Sequence, residues 1–354
     1  MTQQSSSTQN VGAQSASAPV SRAYRTEVRR VARLSPHFIR VTVTSEDLRF
    51  FGPQGTALTE EEARRSPTSW DQRIKLFLPR LDGSYPELGL FADPPASMME
   101  WYNAWRLLDD AERNPIRTYT VREIRTAERE LDLDFVVHVD ADGGSGPASA
   151  WALSAQPGDE LIVIGPDRRG ETSNGGIEWN PGTAREVLLA GDETAAPAIC
   201  GILEGLAASE EAKVFFGEAY IEVPTSEDIL EVDAPSGVVV RWLPRDGASL
   251  GDLVGQAVRD WGRRRQIIFE ARRAAWAPGL TPVGAPAGSS GYEELGPEEP
   301  LWEVAEPDGF REYAWLAGES GVITGLRRHL VKEIGLSKKQ VSFMGYWKKG
   351  RASS

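Results

Sequence analysis

The hydrophobic period of this chain changes near residue 185, and that change constrains the fold more than any other feature. Before it, apolar residues recur at every second position. Ile39, Val41 and Val43 alternate with Arg40, Thr42 and Thr44; Ile74, Leu76 and Leu78 bracket Lys75; Leu131, Leu133, Phe135, Val137 and Val139 alternate with Asp132, Asp134, Val136 and His138. Side chains of a strand point alternately to its two faces, so this spacing predicts half-buried strands. Turn clusters such as Asp82-Gly83-Ser84 lie between them, which suits an antiparallel barrel. After residue 185 short apolar runs alternate with helical patterns. Strands are expected at 187–190, 214–216, 238–240, 313–317 and 341–345, and helices at 195–207, 248–261 and 319–334. That rhythm predicts a parallel sheet with helices on its faces.

A chain of 354 residues is long for one core, so two domains are expected. The division reads 1–20 as a disordered Ser/Gln-rich tail, 21–166 as the barrel, 167–184 as a linker with a mobile loop, and 185–354 as the α/β domain. A Pro-, Gly- and Glu-rich stretch at about 277–300 reads as a flexible insertion. The net charge of -13 argues against a nucleic-acid binder and against adhesion to an anionic membrane. No apolar run is long enough for membrane insertion, and the N-terminus lacks the apolar core of a secretory signal. The single cysteine, Cys200, permits no disulfide framework; its Ala/Ile surroundings make it a small core residue. A cytoplasmic monomer is the expectation, since no amphipathic stripe is left over for a partner. With only His37, His138 and His329, a His-rich metal site is excluded, and redox chemistry must come from a bound organic cofactor.

Arg117-Thr118-Tyr119-Thr120-Val121-Arg122 is the segment best suited to such a cofactor. The planar Arg fork matches phosphate oxygens, the Tyr ring can cover a flat isoalloxazine, and the Thr hydroxyl can bond the ring where hydride arrives. Alone, this string is an ordinary half-buried strand. Downstream, Asp140-Ala141-Asp142-Gly143-Gly144-Ser145-Gly146 feeds a helix that opens on Pro147 and Ala148-Ser149. Free N–H groups and the helix dipole favour a phosphate at such a turn, so a dinucleotide pyrophosphate becomes the better account of both segments. Two strand-to-helix turns, Ala190-Gly191-Asp192-Glu193-Thr194-Ala195 and Leu316-Ala317-Gly318-Glu319-Ser320, stand where a doubly wound sheet binds nucleotides, although no Gly-x-Gly-x-x-Gly is present. Gly318 and Glu319 are thus candidates for nicotinamide binding. The stretch from Gly325 to Arg351 is basic. Much of it reads as a solvated face, but Lys348 and Lys349 follow Tyr346-Trp347, and with Lys75 and Arg168 or Arg169 they can form a pocket for an anionic substrate.

In order along the chain, Arg117–Arg122, Asp134-Phe135-Val136-Val137-His138, Gly146-Pro147-Ala148-Ser149-x-Trp151-Ala152, Gly191-Asp192-Glu193-Thr194-Ala195, Trp315-Leu316-Ala317-Gly318-Glu319 and Ser342–Gly350 resemble the siderophore-interacting proteins, a family of ferric-siderophore reductases. The resemblance runs from about Tyr24 onward. It implies a six-stranded antiparallel FAD-binding β-barrel followed by a nicotinamide-binding α/β domain, as in the ferredoxin reductase superfamily. It implies that Arg117, Thr118, Tyr119, Thr120, Val136, Val137, His138, Ala148 and Ser149 hold FAD. Asp192, Thr194, Ala195 and Trp347 belong to the same site, with Thr194, Ala195 and Trp347 closing over the flavin. A basic triad that binds the siderophore maps to Lys75, Arg168 and Lys349. NADH or NADPH then reduces the flavin, which reduces siderophore-bound iron. Two other readings compete: a reductase of this architecture that serves a ferredoxin or free flavin, and a non-catalytic siderophore or FAD carrier.

Overall fold

Alternating burial along the first half of the chain produces a single curled sheet. The computed structural model describes residues 21–52, 69–138, 145–169, 175–275, 302–305 and 309–350. The tail over 1–20, the turn residues 140–144 and the insertion at about 277–300 fall outside the described residues. Seven strands form the first sheet: β1 (Ser21–Arg33), β2 (Phe38–Thr44), β3 (Arg73–Phe77), β4 (Ile116–Thr120), β5 (Glu123–Arg125), β6 (Glu130–Val136) and β7 (Glu160–Pro166). Their order is β4-β3-β7-β1-β2-β6-β5. The two edge strands, β4 and β5, are consecutive in sequence with only Val121 and Arg122 between them, so the sheet must curl back on itself. Two backbone bonds mark the closure: Val121 N–H donates to the Gln72 carbonyl at 2.8 Å and Arg122 N–H to the Asp132 carbonyl at 2.9 Å. The count is seven, not the expected six. Inside the curl, Val41, Val43, Leu76, Leu131, Leu133, Phe135 and Val163 are fully buried, each contributing about 1.5–3 kcal/mol.

One helix in this half has no counterpart in the sequence reading. α1 (Met98–Leu107) opens on a Ser97/Glu100 capping box, and Trp101 and Trp105, one turn apart, pack on the outer face of the sheet against Phe77, Ile116, Ile162 and Ile164. α2 (Pro147–Ser154) starts where Pro147 places it, with Gly146 as N-cap. β7 runs on through Gly165 and Pro166 to pair with Ser21, where the Pro166 carbonyl accepts the Tyr24 hydroxyl at 2.7 Å.

The second sheet contains β8 (Glu186–Gly191), β9 (Phe216–Val223), β10 (Gly237–Pro244), β11 (Trp302–Glu303), β12 (Glu312–Glu319) and β13 (Val341–Trp347), in the order β10-β9-β8-β12-β13-β11. All pairs are parallel except β11 with β13. The chain steps outward from β8 to β10 and then restarts on the other side of β8 with β12, which creates a switch point at their carboxyl ends. Helices α3 (Ala196–Ala208), α4 (Asp252–Ala275) and α5 (Ser320–Arg328) pack with this sheet, and α5 passes into a π-type turn over His329–Ile334. Several boundaries shift from expectation, α4 running on to Ala275 rather than ending at 261. Val214 sits in a short 3₁₀ turn with its side chain exposed, so the strand begins at Phe216. α4 begins at Asp252, not 248, because Gly251 adopts φ +85° just before it.

The two halves meet along a bonded seam. The Arg122 guanidinium clasps Glu204 of α3, the Trp315 Nε1–H donates to Asp71 at 3.0 Å, and His37 lies 2.8 Å from Asp228. Among the described residues no helix is long and apolar enough to cross a membrane.

Candidate functional site at the domain seam

Strand alternation places the β3–β4 cations. Lys75 pairs in register with Thr118, and Leu76 with Arg117, so Lys75 and Arg117 lie on opposite faces of adjacent strands. The Lys75 ammonium donates to the Thr118 hydroxyl at 3.3 Å on the outer face. Desolvation against the sheet, helped by the Arg73 charge, pushes its pKa down. Arg117 donates to the Ile116 carbonyl at 2.8 Å, and burial lowers its pKa as well. Neither cation has a carboxylate partner among the described residues. Their neighbours in the same sheet do: Arg40 holds Asp134, Arg125 holds Asp132, and Arg22 holds Asp47. In a chain with thirteen excess negative charges, two cations kept apart from acids fit an anionic ligand.

The ring of Tyr119 lies 4.5 Å from Phe135, which in turn lies 5.4 Å from Trp151 of α2. At the same edge Ser149 donates to the Val136 carbonyl at 3.0 Å, Ala148 and Val137 are buried, and no side chain caps the N-terminus of α2. Arg117, the Tyr119 ring and the uncapped helix end are the donor set a flavin dinucleotide needs: a fork for the pyrophosphate, a surface for the ring and free N–H groups. The residues present fit FAD. Thr120 is buried on the opposite face from Tyr119, next to Arg73 in the β3 register.

The carboxyl ends of β8, β12 and β13 approach very closely, and glycine makes this possible. Gly318 has φ +142°, and a Cβ there would fall 2.6 Å from the Asp192 carboxylate. Asp192 is the hub of this corner. Its Oδ1 accepts the Thr194 N–H and hydroxyl, and its Oδ2 accepts the Glu319 N–H at 2.7 Å and the Trp347 Nε1–H at 3.0 Å. Burial, reinforced by the Glu193 charge, raises its pKa to about 6. The Glu319 carboxylate caps α5 through Val322 N–H and also accepts the Lys349 N–H. Ala195 is fully buried where α3 begins.

Glu193 lies beside the hub. Arg245 grips it with both nitrogens, at 2.6 and 2.9 Å, and His138 at the end of β6 stands 3.5 Å away. The His138 and Trp347 rings are 6.3 Å apart. The structure therefore brings His138, Asp192, Thr194, Gly318, Glu319 and Trp347 to one corner, with Arg117, Tyr119, Val136 and Ser149 along the adjoining sheet edge.

The triad is less closely drawn. Lys75 pairs with Ile164 of β7, and Arg168 lies four residues further on, in the turn beyond the end of that strand. Arg168 turns onto the Phe51 carbonyl, while Arg169 pairs with Asp167 and covers the Phe50 ring. Lys349, with an exposed side chain, is anchored by its backbone to Glu319 in the other half. Sequence reasoning missed Arg245, Asp71 and Glu204. Each lies in a loop or on a helix flank, where no period marks it, and each takes its meaning from a partner remote in sequence.

Residues 27–170 match the siderophore-interacting FAD-binding domain, and residues 184–350 match the siderophore-interacting protein family. The chain belongs to the siderophore-interacting protein family. This siderophore-interacting protein is 29% identical over 333 residues to an uncharacterised protein of Mycobacterium tuberculosis, a match covering 92% of this chain and 90% of the other. It is 27% identical over 319 residues to the ferric vibriobactin reductase ViuB of Vibrio cholerae, covering 90% and 86%. Among solved structures, a siderophore utilization protein from T. fusca superposes with a TM-score of 0.58 at 26% identity, covering 95% of this chain and 96% of that one.

Proposed function

We propose that this protein is an FAD-dependent NAD(P)H:ferric-siderophore oxidoreductase that releases iron inside the cell. The observation that carries the reading is the pair of cations, Lys75 and Arg117, that have no acid partner among the described residues, on adjacent strands of the FAD-binding half of an acidic chain. When bound, FAD takes up two electrons together from a nicotinamide and releases them singly to iron. Arg117 holds the pyrophosphate, Tyr119 supports the ring, and Thr118, Thr120, Val136, Val137, His138, Ala148 and Ser149 line the cofactor. Lys75, with Arg168 and Lys349 at greater distance, attracts the anionic ferric chelate. Siderophore oxygens hold ferric iron far more firmly than ferrous iron, so reduction loosens the metal. No general acid or base is needed for that electron transfer.

Gly318 and Glu319 receive the nicotinamide nucleotide, and NADH is the favoured donor. Four arginines of this half are already engaged: Arg241 and Arg264 with Glu218, Arg245 with Glu193 and Glu222, and Arg327 with Glu303. Arg328 closes α5, about 12 Å from the end of that helix that faces the crevice. Those pairings and that distance support NADH over a nucleotide that carries a 2′-phosphate.

One observation favours a second reading, in which a protein partner exchanges electrons with the flavin. Leu81, Phe91, Met98, Met99, Tyr102 and Leu107 are all exposed along one segment of the barrel. An anaerobic visible spectrum separates the two. Bleaching of the flavin by NADH, and its return on adding a ferric siderophore, supports the reductase. Bound flavin that neither nucleotide bleaches supports a protein donor.

A further inference from the structure

Four bonds from three segments converge on the Asp192 carboxylate: two from Thr194 in the turn after β8, one from Glu319 at the end of β12, and one from Trp347 at the end of β13. Two of them share one oxygen. The Glu319 N–H and the Trp347 Nε1–H both donate to Oδ2, at 2.7 and 3.0 Å. Glu319 lies on the nucleotide side of the corner, and Trp347 faces the His138 ring of the barrel across the seam. A shared oxygen fixes the spacing between its two donors, so this carboxylate sets how far the nucleotide turn stands from the flavin edge. A second bond ties the same residue down: the Ser320 hydroxyl donates to the Trp347 carbonyl at 2.8 Å.

We infer that Asp192 is a positioning residue for hydride delivery, acting through the Trp347 indole to hold the nicotinamide turn and the flavin edge at their working separation. This rests on the flavin-reductase reading. Asp192 is buried, and both its carboxylate oxygens are taken up by donors of the protein itself. Its effect is geometric. Reacting atoms held even slightly off their approach distance lose rate without an equal loss of binding.

The test uses full-length Asp192→Asn, Trp347→Phe and the double variant. Asn keeps the shape of Asp192 but replaces one accepting oxygen with a donor. Phe keeps a ring at 347 but removes the indole N–H. In anaerobic stopped flow, both single variants are expected to bleach the flavin with NADH about tenfold more slowly, with nucleotide affinity within about threefold of the parent. Ferric-siderophore reduction by protein already reduced with dithionite should slow by less than the NADH half-reaction does. The double variant should be no slower than either single one, because both remove the same link. In the flavin-free protein, the indole N–H resonance missing from Trp347→Phe should move in Asp192→Asn, which reads the bond without any turnover. Trp347→Phe reducing at the parental rate, additive losses in the double variant, or an unmoved indole resonance overturns the inference. A parent protein that binds no flavin, or is bleached by no nucleotide, overturns the reductase reading instead.

Discussion

Arg122 meets Glu204 with two parallel bonds of 2.6 Å each, joining the β4–β5 connection of the first sheet to α3, the first helix of the second half. The Arg122 side chain is 12% exposed and that of Glu204 33%. Removing one partner leaves a largely desolvated charge, but solvent reaches the carboxylate, so the loss falls short of that for a fully buried pair. Arg122→Ala should cost about 2 kcal/mol in urea unfolding. Glu204→Gln, which keeps the shape, should cost less. An Arg122→Ala variant as stable as the parent would remove this pair from the seam's energetics.

The Gly318 position forbids a side chain on two grounds, its φ of +142° and the Asp192 carboxylate 2.6 Å from where a Cβ would stand. Gly318→Ala should lose about 2–3 kcal/mol and disturb the nicotinamide half-reaction. Gly350, at φ +80° with no atom within 4 Å of a Cβ, supplies the control. Gly350→Ala carries backbone strain alone and should lose about 1 kcal/mol. Equal losses in the two variants would show that the Asp192 contact is without consequence.

The strands were the legible part of this chain. Val41, Leu76, Leu133 and Phe135 are buried because they share a period of two, and any reader of the sequence finds them. The Gly191 and Gly318 turns were legible too, since strand-to-helix glycines mark a crevice. β5 was not: three residues carry no period. α1 escaped because only Trp101 and Trp105 of its ten residues are buried, so its stripe is too narrow to read. The role of Asp192 was legible only as motif membership. That four donors from three segments converge on it depends on tertiary placement, as does the clasp of Arg245 on Glu193.

Lys75 offers the sharpest separation between cofactor and substrate. It stands on the face opposite Arg117, and among the described residues its ammonium bonds only the Thr118 hydroxyl. Lys75→Glu should lower kcat/KM for an anionic ferric siderophore about 10- to 100-fold and leave flavin reduction by NADH within about twofold. Equal loss in both half-reactions would place Lys75 in the cofactor site rather than the substrate site.

On the proposed reading, the paired arginines predict the donor. A 2′-phosphate entering this crevice finds Arg245 already forked by Glu193 and held by Glu222, and both carboxylates repel it. kcat/KM for NADH should exceed that for NADPH by about tenfold or more. Comparable values for the two nucleotides would mean that an arginine leaves its partner when the nucleotide binds.

Two buried carboxylates give the protein an unusual dependence on pH. Burial raises Asp71 from its ordinary 3.8 to about 6, against the N–H groups of Trp179 and Trp315 that it accepts, and Asp192 is raised to about 6 in the same way. A carboxyl whose folded pKa lies above its unfolded value binds its proton more tightly in the native state. Its contribution is complete below about 3.8 and is lost as pH rises through about 6. Asp132, Asp167 and Asp228 are shifted downward, so their contribution is present above the ordinary carboxylate range and disappears only in stronger acid. The melting temperature should therefore rise as pH is lowered from about 7 to about 5 and fall below about 4. Asp71→Asn cannot titrate, and its profile between about pH 4 and 7 should be flatter than that of the parent. Parallel profiles for the two proteins would show that Asp71 holds no extra proton in the folded state.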